Sequence, residues 1–237
     1  MNLLAVDTSG PVCGVAVLAD GALRCEHTVV NKRTHSVNLM PMIDGALQAA
    51  GLTLAEMDRI AVVVGPGSFT GVRLGVSTVK GLAHGCGKPC VGVDALEAMA
   101  AGVGVFDGII CPIQDARAGQ VYGAAFAGAE SEPPRRLMDD TPLALEDYAE
   151  AIRKLGERYL FLGDGMPVHR ERLAQLLGER AVFAPAPRAF LRPGAVAWLA
   201  SLAGEEQTVD ALTLQPLYLR APSAERNRQL VEAAHAE

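Results

Sequence analysis

No C-x-x-C pair occurs among the five cysteines, no two of the five histidines stand at helical ligand spacing, and basic side chains are not in excess. Each absence removes a class of chemistry. Cys13, Cys25, Cys86, Cys90 and Cys111 form an odd set without metal or redox spacing, and Cys13 and Cys25, in apolar strand patterns, read as small buried hydrophobes. His27, His35, His84, His169 and His235 build no zinc or iron site from neighbours. The 21 basic against 27 acidic side chains give a net charge of −6, which argues against independent tight binding of nucleic acid. Met1 to Asp7 enters a strand with neither a basic region nor a long apolar run, so no signal peptide or membrane span is expected and the expected location is cytoplasmic.

What is present is a chain of 237 residues, half of them apolar, enough to bury a large core as one big domain or as two lobes. Its densest signal is Val62-Val63-Val64-Gly65-Pro66-Gly67-Ser68-Phe69-Thr70-Gly71-Val72-Arg73-Leu74-Gly75. Three β-branched residues end a buried strand, Gly-Pro-Gly turns the chain, and Ser68 or Thr70 caps a helix. The helix N-terminus then faces a strand end, a place that suits an anion. The spacing of Gly65, Gly67 and Gly71 fits neither G-x-G-x-x-G nor a P-loop, and Pro66 and Thr70 replace the glycines of a hydrolase elbow around Ser68. Small residues continue at Gly67, Gly71, Gly75, Thr78, Gly81 and Gly85 along one helix face. Glycine inside a helix costs about 0.5–1 kcal/mol, so close packing must compensate, either on the chain's own sheet or on a partner.

The pattern reads as strands over 3–6, 13–18 and 23–30, the last two joined by an Asp20-Gly21 hairpin. A helix over 35–50 follows, with Pro41 predicting a kink or late start, then a strand over 60–64, the glycine helix to about Gly85, a strand over 90–93 and a short helix capped by Asp94. Strands over 108–114, 120–127 and 135–138, a helix over 143–155 and a strand over 159–162 repeat that order. Asp7 and Asp115 both end a first strand, and Gly163-Asp164-Gly165 stands where Gly65-Pro66-Gly67 does. The repeat predicts two duplicated lobes, 1–102 and 103–237, with a polar tail after Pro222. Facing acids at a cleft would suit Mg²⁺ and a nucleotide phosphate, although Thr8-Ser9 and Ala116-Arg117 follow them in place of glycines and an Asp at a strand end also caps a turn. Arg73, in the first turn of the glycine helix, reads by default as a solvated residue.

Asp7-Thr8-Ser9, Arg33-Thr34-His35-Ser36 with Leu39-Met40-Pro41, the glycine motif, Ile113-Gln114-Asp115-Ala116-Arg117 with Val121-Tyr122, and Pro216-Leu217-Tyr218-Leu219-Arg220 together resemble the bacterial TsaB family over nearly the whole chain. The resemblance implies an α/β duplicated actin-like (ASKHA, ribonuclease H-like) fold. It also implies a role in forming N6-threonylcarbamoyladenosine at position 37 of tRNAs reading A-starting codons. The related TsaD transferase uses a metal held by two histidines four residues apart, where this chain has Ala95 and Met99. The resemblance therefore implies a non-catalytic partner that binds and stabilises TsaD, helps recruit the TsaE ATPase and meets tRNA only through the complex. It implies a homodimer when TsaD is absent, and ATP and metal held by the partners, with no cofactor in the chain itself. The implied interface is His35, Leu39, Met42, Ile43, Gly71, Leu74, Gly75, Thr78 and Leu82, and Gly75→Trp is expected to abolish pairing without unfolding. Asp7, Gly65, Gly67, Ser68 and Asp115 form a candidate vestigial nucleotide or anion site; the alternative function is an actin-like ATPase or small-molecule kinase using Asp7 and Asp115 with Mg²⁺. A third reading is a metallopeptidase, against which Ala95 and Met99 in place of the metal pair argue.

Overall fold

A computed structural model describes residues 1–31 and 34–220; Arg33 of the family motif and the tail after Pro222 lie outside the described residues. Strands β1 (Asn2–Asp7), β2 (Cys13–Ala19) and β3 (Ala22–Val29) form the expected meander, with Asp20 and Gly21 both at positive φ in the hairpin. Helix α1 (His35–Ala50), β4 (Arg59–Gly65), α2 (Phe69–Cys86), β5 (Cys90–Asp94) and α3 (Ala95–Val103) complete the first half. The second half runs β6 (Ile109–Arg117), β7 (Gln120–Ala127), β8 (Arg135–Ala144), α4 (Leu145–Ile152), β9 (Tyr159–Leu162), α5 (Gly165–Leu177), β10 (Ala181–Phe183) and α6 (Pro193–Leu202).

The two sheets have the orders β3-β2-β1-β4-β5 and β8-β7-β6-β9-β10, so the duplication extends to topology. In each, the first three strands are antiparallel and the crossover strands parallel. Alternate residues of each strand feed different layers. Leu4, Val6, Val15, Ile60 and Val62 pack under α1 and α2, while Leu3, Ala5, Ala61 and Val63 face the shared core that holds α3 and α6. On the far side, Ile109, Cys111, Ile113 and Phe161 pack under α4 and α5. The layers are thus α1/α2, sheet, α3/α6, sheet, α4/α5, and α6 of the second half packs directly on β1 and β2 of the first.

Several expectations shift. Helix α1 runs unbroken through Pro41, whose exposed position leaves the missing donor on the solvent side. Strand β8 continues to Ala144, because Thr141 and Leu143 pair with Gly123 and Val121, and this shortens α4 to Leu145–Ile152. Beyond β9 the sequence reading identified no elements, yet α5, β10 and α6 complete the second repeat.

The segment after α6 returns to the first half. Val209 bridges Cys90, the Lys80 Nζ donates to the carbonyls of Leu212 and Leu214, and the Leu217 N–H donates to the Val64 carbonyl at 2.7 Å. It ends as one wall of the cleft between the halves.

Candidate functional site

The strand ends and helix starts of both halves meet at a cleft of about 300 Å³. Ser68 caps α2 by accepting from the Gly71 N–H at 3.3 Å, and Asp94 caps α3 by accepting from the Glu97 N–H at 2.7 Å, both as the sequence predicts. Gly67, Ser68 and Asp115 line the cleft; Asp7 and Gly65 do not. Asp7 is 1% exposed, its Oδ1 accepts from the N–H and the hydroxyl of Ser9, and burial pushes its carboxyl up to about 6 against those two bonds. In the second half Asp115 repeats the turn, with Oδ1 accepting from the Arg117 N–H at 3.0 Å. The two acids are therefore turn-formers at equivalent places, and only Asp115 reaches the cleft.

The glycine motif is explained by close approach. At Gly65, φ is +132° and a Cβ would stand 2.5 Å from the Leu217 carbonyl oxygen, so this position lets the C-terminal segment lie against β4. A Cβ at Gly67 or Gly71 would collide with the carbonyl of Ser9 or Thr8. The β1–β2 turn is pressed onto the first turn of α2, and the Thr8 hydroxyl donates to the Gly71 carbonyl.

The sequence-predicted interface residues divide by face. Leu39, Met42 and Ile43 are buried in the chain's own core, and Gly71 and Gly75 face Thr8, with Val62 also against Gly75; these five are corrected from interface to internal packing. Gly75→Trp would therefore strike Thr8 and Val62, and it is not a clean interface probe. The His35 Nε2 donates to the Gly10 carbonyl at 2.8 Å and so ties the start of α1 to the β1–β2 turn. Leu74, Thr78 and Leu82 are partly exposed, and Gly81 and Gly85 have open space where a Cβ would point. Val37, 57% exposed, and Met40, 49% exposed, stand on the outer side of α1.

Arg73 is not a free helix residue: its Nε donates to the Tyr218 hydroxyl at 2.8 Å and its guanidinium lies 3.9 Å from the Phe69 ring centre. Sequence reasoning also passed over Asp164, Gln114 and Arg220, which line the cleft. The only signal for them was position, since each stands in a motif at the end of a strand or segment. Asp164 is pushed up to about 6, by burial first, against a hydrogen bond from the Asp115 N–H. Ala95 and Met99, at the positions implied for metal-binding histidines, are buried in the core shared by both sheets.

Two sheets of one topology, joined by exchanged helices and facing across a cleft, define the actin-like ASKHA class. A family model described as "TsaD: tRNA N6-adenosine threonylcarbamoyltransferase" matches residues 28–228. The Bacillus subtilis tRNA threonylcarbamoyladenosine biosynthesis protein TsaB is 34% identical over 225 residues, covering 95% of this chain and 96% of that one. Its Escherichia coli counterpart is 32% identical, covering 93% and 95%. A Pseudomonas aeruginosa crystal structure, described as having similarity to peptidase YEAZ, matches with a TM-score of 0.76 at 30% identity, over 92% of this chain and 99% of that one. The chain belongs to the TsaB family of tRNA threonylcarbamoyladenosine biosynthesis proteins. No helix among the described residues is long and apolar enough to cross a membrane.

Proposed function

We propose that this chain is the non-catalytic partner of a TsaD-type threonylcarbamoyltransferase in the modification of tRNA. The single observation that carries this is the outer side of α1 and α2, where exposed Val37 and Met40 accompany open small-residue positions at Gly81 and Gly85. Apolar side chains without cover and helix backbone open to close approach suit a helix-to-helix contact. A related chain with the same duplicated fold would present equivalent helices, so the same face serves a homodimer when TsaD is absent.

The chemistry belongs to the partners in this reading. Ala95 and Met99 offer α3 no nitrogen ligand and are committed to packing, and among the described residues no three His, Cys, Asp or Glu are grouped for a metal. The kinase alternative needs Asp7 and Asp115 together in the cleft, and the burial of Asp7 beneath its own turn argues against it. ATP and metal then reside in TsaD and TsaE, TsaE is recruited by the assembled pair, and tRNA is met through the complex, in keeping with the acidic net charge of −6.

The test is association of the purified chain with its cognate TsaD by light scattering. Wild type should form a stable heterodimer and Gly81→Trp, at an exposed position where a Cβ enters open space, should lose it with an unchanged circular dichroism spectrum. Undiminished association of Gly81→Trp would remove this face from the interface.

A further inference from the structure

Among the described residues, the buried side-chain polar atoms without a partner are Asp7 Oδ2, both amide atoms of Gln114, Asp164 Oδ1, His169 Nε2 and Arg220 Nη1. Gln114, Asp164 and Arg220 line the interlobe cleft, and His169 stands 3.8 Å from Asp115, another lining residue. Orphaned polar atoms are rare in folded proteins and point to a missing hydrogen-bonding occupant. Gln114 is the most telling, being 2% exposed on β6 with neither its donor nor its acceptor used. Beside it opens the first turn of α2, an 18-residue helix whose leading N–H groups have no intrahelical partner.

The charges of the wall narrow the occupant. Asp115 and Arg117 pair with each other at 3.4 Å, while Asp164 and Arg220, also in the lining, keep the unpartnered Asp164 Oδ1 and Arg220 Nη1. A nucleotide or free phosphate would suit the arginines and set its charge against two carboxylates. A divalent cation would meet the reverse conflict. A molecule carrying both charges a few bonds apart meets both, and its own donors and acceptors can use the Gln114 amide. A volume of about 300 Å³ holds such a small zwitterion with a few waters, while Phe69, Tyr122 and Leu217 offer a less polar wall to a side chain.

We propose that the interlobe cleft binds a free α-amino acid, its carboxylate held by Arg220 and the first turn of α2, its ammonium by Asp164, with the Gln114 amide bridging the two. This site is separate from the outer face of α1 and α2, so it stands or falls independently of the partner reading. It gives the cleft a ligand without giving it a reaction.

Calorimetric titration of the full chain with a panel of L-α-amino acids tests it, with the matching des-amino carboxylic acids, inorganic phosphate and Mg-ATP as comparison probes. At least one amino acid should bind saturably at millimolar concentration or below, its des-amino acid at least tenfold more weakly. Gln114→Leu should weaken that binding tenfold or more while melting no lower than wild type, since it removes an unpaired amide. Gln114→Glu is the second variant should Gln114→Leu fail to fold, with the same loss expected. Asp164→Asn should erase the preference for the amino acid over its des-amino analogue. Absence of binding across the panel, saturable binding of Mg-ATP or phosphate alone, or undiminished affinity in a folded Gln114 variant would each overturn the proposal.

Discussion

At the residue scale, Asp7 carries an electrostatic cost that the turn it builds does not cancel. Burial raises its carboxyl from 3.8 to about 6, so the folded chain favours the neutral form, and the cost of the charged form develops as pH rises from 3.8 through about 6. Asp164, also at about 6, acts in the same direction, and so does Asp94, raised by burial and then by its neighbour Asp140. Stability to urea should therefore fall as pH rises from 5 to 8. For Asp7 alone the whole displacement corresponds to about 3 kcal/mol, of which about 1.4 kcal/mol develops between pH 5 and 8, so Asp7→Asn should flatten that profile by up to about 1.4 kcal/mol; an unchanged profile would show that the carboxylate is solvated. Caps were the legible part at this scale, because Ser68 and Asp94 each precede an apolar-periodic run and need only local chain to act. His35 was not legible, since its acceptor, the Gly10 carbonyl, is 25 residues away in sequence.

At the scale of elements, α2 shows how one stripe of small residues divides between two faces. Gly71 and Gly75 are pressed on Thr8, whereas Gly81 and Gly85 meet open space. Opposite outcomes should follow from the same substitution. Gly71→Ala and Gly75→Ala should destabilise by about 2–3 kcal/mol through collision with Thr8, while Gly81→Ala should stabilise by about 0.5–1 kcal/mol through helix propensity, all measured by urea unfolding. Equal effects at Gly75 and Gly81 would contradict the division of faces. Periodicity located the stripe but not its facing, because residues three and four apart drift around the helix over several turns. In the second repeat, α5 was missed since its buried contacts Met166, Leu173 and Leu177 are sparse, and the three-residue β10 is defined by pairing with β9 more than by its own pattern.

At the scale of the whole molecule, the duplication was legible because both copies begin with an acid at a strand end and pass through a glycine turn into a helix. The exchange of helices was not, since it depends on α3 and α6 filling one core between the sheets. In that arrangement the inner layers hold the fold, and the outer helix layers and the cleft are open to other molecules. The most direct measurement is threonylcarbamoyladenosine formation on tRNA in a mixture of this chain, TsaD and TsaE, with Gly81→Trp and Asp115→Asn compared with wild type. The account predicts no product from this chain alone, strong stimulation by wild type, loss of stimulation with Gly81→Trp in step with lost TsaD binding, and near wild-type stimulation with Asp115→Asn. Product from this chain without TsaD, or an Asp115→Asn variant that still binds TsaD yet abolishes formation, would contradict it and place chemistry in the cleft.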